Sequence, residues 1–258
     1  MAEAQVSDVV EEYLETIYRL QEKEGDGAKT NEIVRSMKVV PGTVTNTVER
    51  LEKEGLVTHE PYRGVRLTDK GRKIAVQVVR RHRLSERLLT DILHVDWGKS
   101  HDLACKLEHV IDDEEIIENL EEALGHPKTC PHGNTIPPKE GEPFEEETDE
   151  RKSIPLANLA LSEKGIVVRV TDEDAEMLRY ISKLGLVPGS SVEVVKRESA
   201  DGLLTVRLQG STIRTISLKA ASIINVRTSE PRVTTVRRTD VKPKVKKNHE
   251  ATYGEYEK

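Results

Sequence analysis

The 258-residue sequence predicts an α+β protein in three parts: an N-terminal winged helix-turn-helix, a helical middle segment and a small C-terminal β-barrel-like domain. Three observations lead to this prediction. Apolar residues recur with helical period as far as residue 54, and two short alternating runs follow. Helical period resumes from residue 68 to about residue 124. From residue 154 the period changes to two, which is typical of strands.

The first 72 residues carry three predicted helices and a hairpin. The first helix ends at Gly25-Asp26-Gly27, the second begins at Thr30, and the third spans about Thr43 to Glu54. Two alternating runs, 56–59 and 65–68, then predict a short hairpin. Three helices followed by a hairpin in so short a segment indicate a winged helix-turn-helix in residues 1–72.

Residues 73–139 predict a second, helical domain. Thr68 has the character of an N-cap, and the apolar positions after it keep helical period to Leu93. Two further helices are expected at about 99–111 and 113–124. A Pro- and Gly-rich stretch then leads into a predicted acidic linker, 140–153.

Residues 154–230 predict a compact β domain with strands at 166–170, 192–195, 203–208 and 223–226, interrupted by one helix at about 173–184. The remaining residues, 231–258, are basic, polar and poor in apolar residues, so we expect a disordered tail.

Composition excludes several classes of protein. Forty Lys and Arg against 46 Asp and Glu give a net charge of −6, which excludes a wholly basic, histone-like nucleic-acid binder. Two cysteines are too few for a disulfide framework. No apolar run approaches the roughly 18 residues of a membrane span, and the N-terminus lacks the features of a secretion signal. We therefore expect a cytoplasmic protein without a membrane partner.

The third helix has the composition of a DNA-reading surface. Its outward positions are short and mostly uncharged, whereas an ordinary solvent face is rich in Glu and Lys; Asn pairs with adenine, and Thr contacts the thymine methyl group. A local excess of Lys and Arg in residues 61–83 suits the phosphate backbone. The candidate DNA-binding residues are Thr43, Thr45, Asn46, Thr47, Arg50 and Arg63.

A second set of residues suits metal binding. Six of the eight histidines and both cysteines lie between His82 and His132. His101, Cys105, Glu108 and His109 follow one side of a helix, and His82 lies one turn from Glu86. Imidazole, thiolate and carboxylate together form mixed sites for divalent transition metals. Each of these residues alone is more simply interpreted as a core or surface side chain. That interpretation does not account for the whole set.

Two other functional classes are alternatives to a DNA-binding regulator that responds to a metal. A metalloenzyme is disfavoured because the sequence has no His-Glu-x-x-His spacing, nucleophile elbow or phosphate-binding glycine loop. A winged-helix regulator that responds to a small organic ligand, with only a structural zinc, is a further alternative. A structural zinc would unfold the protein when removed, whereas a sensor stays folded.

Four segments resemble one known family. The runs 80–89 (RRHRLSERLL) and 101–110 (HDLACKLEHV) closely resemble the diphtheria toxin repressor family of iron-dependent regulators, and 12–18 (EYLETIY) and 133–137 (GNTIP) fit the same family. The resemblance implies a homodimeric, metal-activated repressor of metal homeostasis genes. It also implies a helical dimerisation domain, an SH3-like C-terminal domain, an approximately palindromic double-stranded DNA operator and no organic substrate.

The resemblance further implies two metal sites per subunit. The regulatory site would use Glu12, Cys105, Glu108 and His109. The ancillary site would use His82, Glu86 and His101, completed by an acid of the SH3-like domain, either Asp174 or its rival Glu173. Glu15 is a weaker candidate ligand. We expect Cys130-Pro131-His132 to form a turn without a ligand role.

The metal itself is predicted from departures within the family. The iron branch typically has Met at the position of Glu12, while the manganese branch has acids at Glu12 and Glu15 but Glu at the position of Cys105. Because a soft thiolate discriminates more strongly than a carboxylate, we expect Fe²⁺, with Mn²⁺ as the alternative and Zn²⁺, Co²⁺ or Ni²⁺ as possible ions in vitro.

Overall fold

The computed structural model describes residues 6–24, 27–60, 63–139, 141–142, 153–171, 174–198 and 201–228. The predicted basic tail and most of the predicted acidic linker lie outside the described residues, so both remain predictions.

The N-terminal domain consists of three helices and a two-stranded wing. The helices are α1 (Asp8–Glu24), α2 (Thr30–Met37) and α3 (Pro41–Lys53), and the wing pairs β1 (Val57–Glu60) antiparallel with β2 (Gly64–Leu67). Helix α3 begins two residues earlier than the sequence predicted, because Pro41 occupies its first turn, where the missing N–H is not needed. The predicted winged helix-turn-helix is confirmed.

One long helix joins the first two domains. Helix α4 (Asp69–Arg87) is capped at its N-terminus by Thr68, whose hydroxyl accepts a hydrogen bond from the backbone N–H of Gly71 at 3.1 Å. Its first half packs in the N-terminal core through Ala75 and Val79, and Leu84 packs in a separate cluster of the helical domain. Because a single helix contributes to both cores, the two domains share one rigid element.

The rest of the helical domain is built from short helices. The chain leaves α4 through one π-helical turn, Leu88–Ile92, and not through a continued α-helix as the sequence predicted. A 3₁₀ turn, Trp97–Lys99, leads into α5 (Ser100–Leu107), and α6 (Glu114–Ala123) follows.

The C-terminal domain is a six-stranded antiparallel sheet with the order β3-β8-β4-β5-β6-β7. The strands are β3 (Ile154–Pro155), β4 (Lys164–Val170), β5 (Ser191–Glu198), β6 (Leu203–Leu208), β7 (Thr212–Ser217) and β8 (Ile224–Thr228), with helices α7 (Ala175–Leu184) and α8 (Leu218–Ser222). The pattern did not reveal β7, because this edge strand is largely exposed and lacks apolar alternation. The α+β class and the SH3-like C-terminal domain are confirmed.

No helix in the described part of the chain is both long enough and apolar enough to cross a membrane.

The N-terminus of α4 gives a prediction about stability. A Cβ on Gly71 would lie 2.0 Å from the Leu56 carbonyl oxygen, whereas a Cβ on Gly42, in the first turn of α3, would meet nothing within 4 Å. We expect Gly71→Ala to lower the free energy of unfolding by about 1–3 kcal/mol through overpacking. The control Gly42→Ala should leave it within about 1 kcal/mol, on the stabilising side. Urea unfolding in the presence of a chelator measures both, and equal values would contradict the close approach of α4 to Leu56.

Candidate metal centre and DNA-binding surface

Side chains that can ligate metals converge where α1, α4, α5 and the loop 130–134 meet. Among the described residues they form three groups, two of which share His82, and in each group the potential ligand atoms lie within 4.8 Å of one another. The groups are His82, His101 and Cys105; Glu86, Cys130 and His132; and Glu15, His82 and Glu108. Seven of these eight residues are buried, and Cys105 is partly buried.

His82 lies at the centre of the cluster. Its Nδ1 contacts the carboxylate of Glu108, and its Nε2 lies 3.0 Å from Glu86 Oε1 and 3.1 Å from His101 Nδ1. The helical spacing of four residues places His82 and Glu86 on the same side of α4. Both ring nitrogens of His82 therefore face groups that can share a cation with it.

The loop 130–134 adds two ligand candidates, Cys130 and His132, to which the sequence analysis gave no ligand role. His132 Nδ1 lies 3.1 Å from Glu86 Oε1 and 3.9 Å from Cys130 Sγ. The loop is a turn, as expected, with the Gly133 N–H donating to the Cys130 carbonyl at 2.9 Å. The signal in the sequence that could have indicated these two ligands is Cys-Pro-His-Gly, which places Cys and His two residues apart in a turn.

The charges of the cluster depend on one another. Burial raises the pKa of Glu86. The neighbouring His132 and His82 lower it by more than burial raises it, so the net pKa is well below the usual range. Burial lowers the pKa of His132, but the Glu86 carboxylate and Cys130 together outweigh burial, and the net pKa is raised. His82 follows the same rule, since burial and Arg19 lower its pKa but the Glu86 and Glu108 carboxylates raise it more.

The Cys105 thiol and His101 form a second coupled pair. Burial raises the pKa of Cys105, but contacts with His101 and His82 bring it down to about 7. Burial lowers the pKa of His101, but contacts with Cys105 and Glu86 bring it up to about 9. A thiol with this pKa is partly ionised near neutral pH, which is the form that ligates metals.

The cluster fits a divalent transition metal on two grounds. It combines nitrogen, sulfur and oxygen donors, the mixture that such ions accept. In addition, Glu86 Oε2 is buried and makes no hydrogen bond within the described residues, although buried polar atoms are normally partnered. A bound cation would satisfy this oxygen.

The structure does not bring every predicted ligand into this cluster. Glu12 is exposed on α1, whereas Glu15, one turn later, is buried against His82 and Glu108. Asp174 is exposed and caps α7, where it accepts hydrogen bonds from the N–H groups of residues 176 and 177. Glu173 lies outside the described residues.

His109 has a different α1 partner from the one predicted. Its Nδ1 lies 2.8 Å from Glu11, and its Nε2 lies 3.4 Å from the Glu108 carboxylate. The pKa of His109 is raised, because the carboxylates of Glu11 and Glu108 outweigh its burial. Glu11 therefore connects α1 to the helical domain, a role the sequence pattern did not reveal.

The candidate DNA-binding residues lie on the outer side of α3 and on the wing. Val44, Val48 and Leu51 are buried in the N-terminal core, and this fixes which side of α3 faces outward. Of the candidates, Thr47 is partly buried and the others are exposed: Thr43, Thr45, Asn46, Arg50 and Arg63. Polar side chains on an exposed helix beside a wing can reach base edges in a major groove.

Part of the predicted basic surface is directed inward. Arg80 contacts Glu121 and donates to the Pro137 carbonyl at 2.8 Å. Arg81 binds Glu11 at 2.7 Å. Arg83 contacts the Thr135 carbonyl. These three arginines bind partners within the protein, so phosphate contacts from the predicted basic segment are expected from its earlier residues.

Three family profiles together match most of the chain. Residues 5–65 match the profile described as "Iron dependent repressor, N-terminal DNA binding domain", residues 68–138 match "Iron dependent repressor, metal binding and dimerisation domain", and residues 154–228 match "FeoA domain".

Curated relatives and solved structures agree with these profiles. The chain is 36% identical to a diphtheria toxin repressor of Corynebacterium glutamicum, over 81% of this chain and 92% of the relative. It is 34% identical to an iron-dependent repressor, IdeR, of Mycobacterium tuberculosis, over 85% and 96%. A manganese-dependent transcriptional repressor in complex with manganese superposes with a TM-score of 0.74 at 30% identity, covering 85% of this chain and 99% of that one. The chain therefore belongs to the diphtheria toxin repressor family of iron-dependent regulators, whose members are transcriptional repressors and not enzymes.

Proposed function

We propose that this protein is a ferrous-iron-dependent repressor that binds an approximately palindromic operator as a homodimer and controls genes of metal homeostasis. One observation carries the proposal: the buried His/Cys/Glu cluster joins a helix of the DNA-binding domain to the helical domain. An ion in this cluster can therefore act on the position of the recognition helices.

The proposed switch is a tether between the two domains. Glu15 on α1 shares a group with His82 on α4 and with Glu108 directly after α5. A divalent ion offsets the repulsion between the two carboxylates and fixes α1 against the helical domain. An ion that binds the DNA-competent arrangement more tightly must strengthen operator binding by the same factor.

The donor set supports iron as the physiological metal. Cys105 and Cys130 each belong to one of the groups, and thiolates favour iron, zinc or cobalt over manganese. Manganese is the second candidate, because the Glu15–His82–Glu108 group holds only nitrogen and oxygen donors and a manganese-dependent repressor is among the similar structures.

The ligand assignment that we propose keeps the sequence-based candidates and extends them. Cys105, Glu108 and His109 remain the regulatory ligands, with Glu15 as well as Glu12 as the α1 candidate. His82, Glu86 and His101 remain ancillary ligands, and Cys130 and His132 join Glu86. Asp174 and Glu173 stay candidates for the C-terminal acid.

Exposed apolar side chains of the helical domain support a homodimer. Leu103 on α5, Val110 in the turn after it and Ile116 on α6 are 40%, 74% and 53% exposed. A dimer would bury such side chains and would present two α3 helices to two half-sites of an operator.

The direct test is DNA binding as a function of metal. We expect the chelator-treated protein to bind DNA from upstream of its own gene only after Fe²⁺ is added anaerobically, with a weaker response to Mn²⁺, as measured by fluorescence anisotropy. Circular dichroism shows whether the metal-free protein stays folded. Binding that is independent of every metal would contradict the proposal, and unfolding upon chelation would indicate a structural metal instead.

The tether is tested by two substitutions on the same helix. We expect Glu15→Gln to reduce the effect of Fe²⁺ on operator affinity by tenfold or more, because it removes a buried carboxylate next to His82 and Glu108. We expect Glu12→Gln, at an exposed position, to have a smaller effect. Analytical ultracentrifugation should show that both variants remain dimers. The reverse order of the two effects would restore Glu12 as the α1 ligand.

The DNA-binding surface is tested by one base-reading and one phosphate-binding candidate. Asn46→Ala should weaken binding to the operator by about 1–3 kcal/mol and change binding to unrelated DNA little, because it removes a base contact. Arg50→Ala should weaken binding to both the operator and unrelated DNA. It should also reduce the slope of log affinity against log salt concentration by about one unit. If Asn46→Ala weakens both DNAs equally, Asn46 does not read bases.

A further inference from the structure

Trp97, the only tryptophan of the chain, lies in the 3₁₀ turn that precedes α5. Its side chain packs against the apolar core of the C-terminal sheet. Its indole N–H donates to the Pro131 carbonyl at 2.8 Å, and its ring meets the ring of His132 edge-on, with 4.5 Å between centroids. Trp97 therefore contacts the loop 130–134 and the C-terminal core at once.

The backbone of Trp97 sets the orientation of His132. The carbonyl oxygen of Trp97 lies 3.2 Å from His132 Nε2, and a carbonyl can only accept, so Nε2 carries the proton. Nδ1 is then the nitrogen that faces Glu86 and Cys130. Metal-binding histidines are commonly held in this way, by a carbonyl or carboxylate on the second ring nitrogen.

The same loop is attached to the C-terminal sheet. The N–H of Val170, at the end of β4, donates to the His132 carbonyl at 2.9 Å, and the Asn134 amide donates to the Val170 carbonyl at 3.3 Å. A Cβ on Gly133, which has φ of +86°, would lie 2.0 Å from the Val168 carbonyl oxygen. The loop thus carries two ligand candidates while it packs directly on β4.

We propose that Trp97 is a positioning residue that holds His132 in its ligating orientation and couples metal binding at Glu86, Cys130 and His132 to the docking of the C-terminal domain. The proposal rests on the metal centre proposed above. A tryptophan that only filled space would stabilise the fold without changing metal affinity or the exchange of the Val170 amide.

The test uses the full-length protein with Cys105→Ser, so that Cys130 is the one remaining thiol that can ligate. Co²⁺ titration then reports Cys130 through the thiolate-to-cobalt charge-transfer absorption. Trp97→Leu should weaken this binding by about tenfold or more, the usual size of an effect on residues that support ligands. Trp97→Phe keeps a ring against His132 but loses the indole N–H, and should give a smaller loss. His94→Asn, at an exposed position of the same segment, should have no effect.

Hydrogen exchange gives the second readout. Co²⁺ should slow exchange at the Val170 amide in the Cys105→Ser protein, and Trp97→Leu should remove this protection. Gly133→Ala, which forces the loop away from β4, should also weaken the charge-transfer absorption. Circular dichroism checks that each variant is folded. If Trp97→Leu is not folded, Trp97→Phe still tests the proposal.

The outcomes separate this proposal from the metal centre itself. Unchanged Co²⁺ affinity and unchanged protection in both Trp97 variants would overturn the positioning role alone. If His132→Ala leaves the Co²⁺ affinity unchanged in the charge-transfer titration, His132 is not a ligand, and both the positioning role and that part of the proposed centre are wrong.

Discussion

The arrangement of the helical domain depends on the burial of one carboxylate, that of Glu86. Its Oε1 lies within 3.2 Å of a nitrogen of His82, His101 and His132, which come from α4, α5 and the loop 130–134. An uncompensated carboxylate in this position would cost several kcal/mol, so the three elements are held together by the need to neutralise it. A metal ion and protonated imidazoles are alternative ways to meet that need, and for this reason metal binding at these imidazoles must displace protons.

Helix α4 connects this cluster to the N-terminal domain. Its first half is part of the N-terminal core, and its second half carries His82 and Glu86. The C-terminal domain is connected to the same carboxylate through His132, which lies beside Glu86 and whose carbonyl accepts a hydrogen bond from Val170. The cluster therefore links all three domains through polar groups, and an ion bound there would act on each of them.

Periodicity in the sequence predicted the elements that local patterns determine, and tertiary packing decided the rest. His82 with Glu86, and His101 with Cys105, could be paired from the sequence because residues four apart share a helix face. Glu12 and Glu15 are only three residues apart on α1, and packing alone decides which one is buried. Cys130 and His132 could not be placed beside Glu86, because a turn carries no periodicity. The inward direction of Arg80 and Arg81 depends on Glu121 and Glu11, which are distant in sequence.

The inward arginines have a consequence for the way a repressor leaves DNA. Each phosphate neutralised by a cation contributes about −0.9 to the slope of log affinity against log salt concentration, and this contribution is the same for every sequence. With Arg80, Arg81 and Arg83 bound to internal partners, fewer cations of an already acidic chain contribute to such indiscriminate attraction. In the proposed mechanism, operator binding would then rely more on base contacts made by two correctly spaced α3 helices, and loss of that spacing would leave a weaker attraction to unrelated DNA.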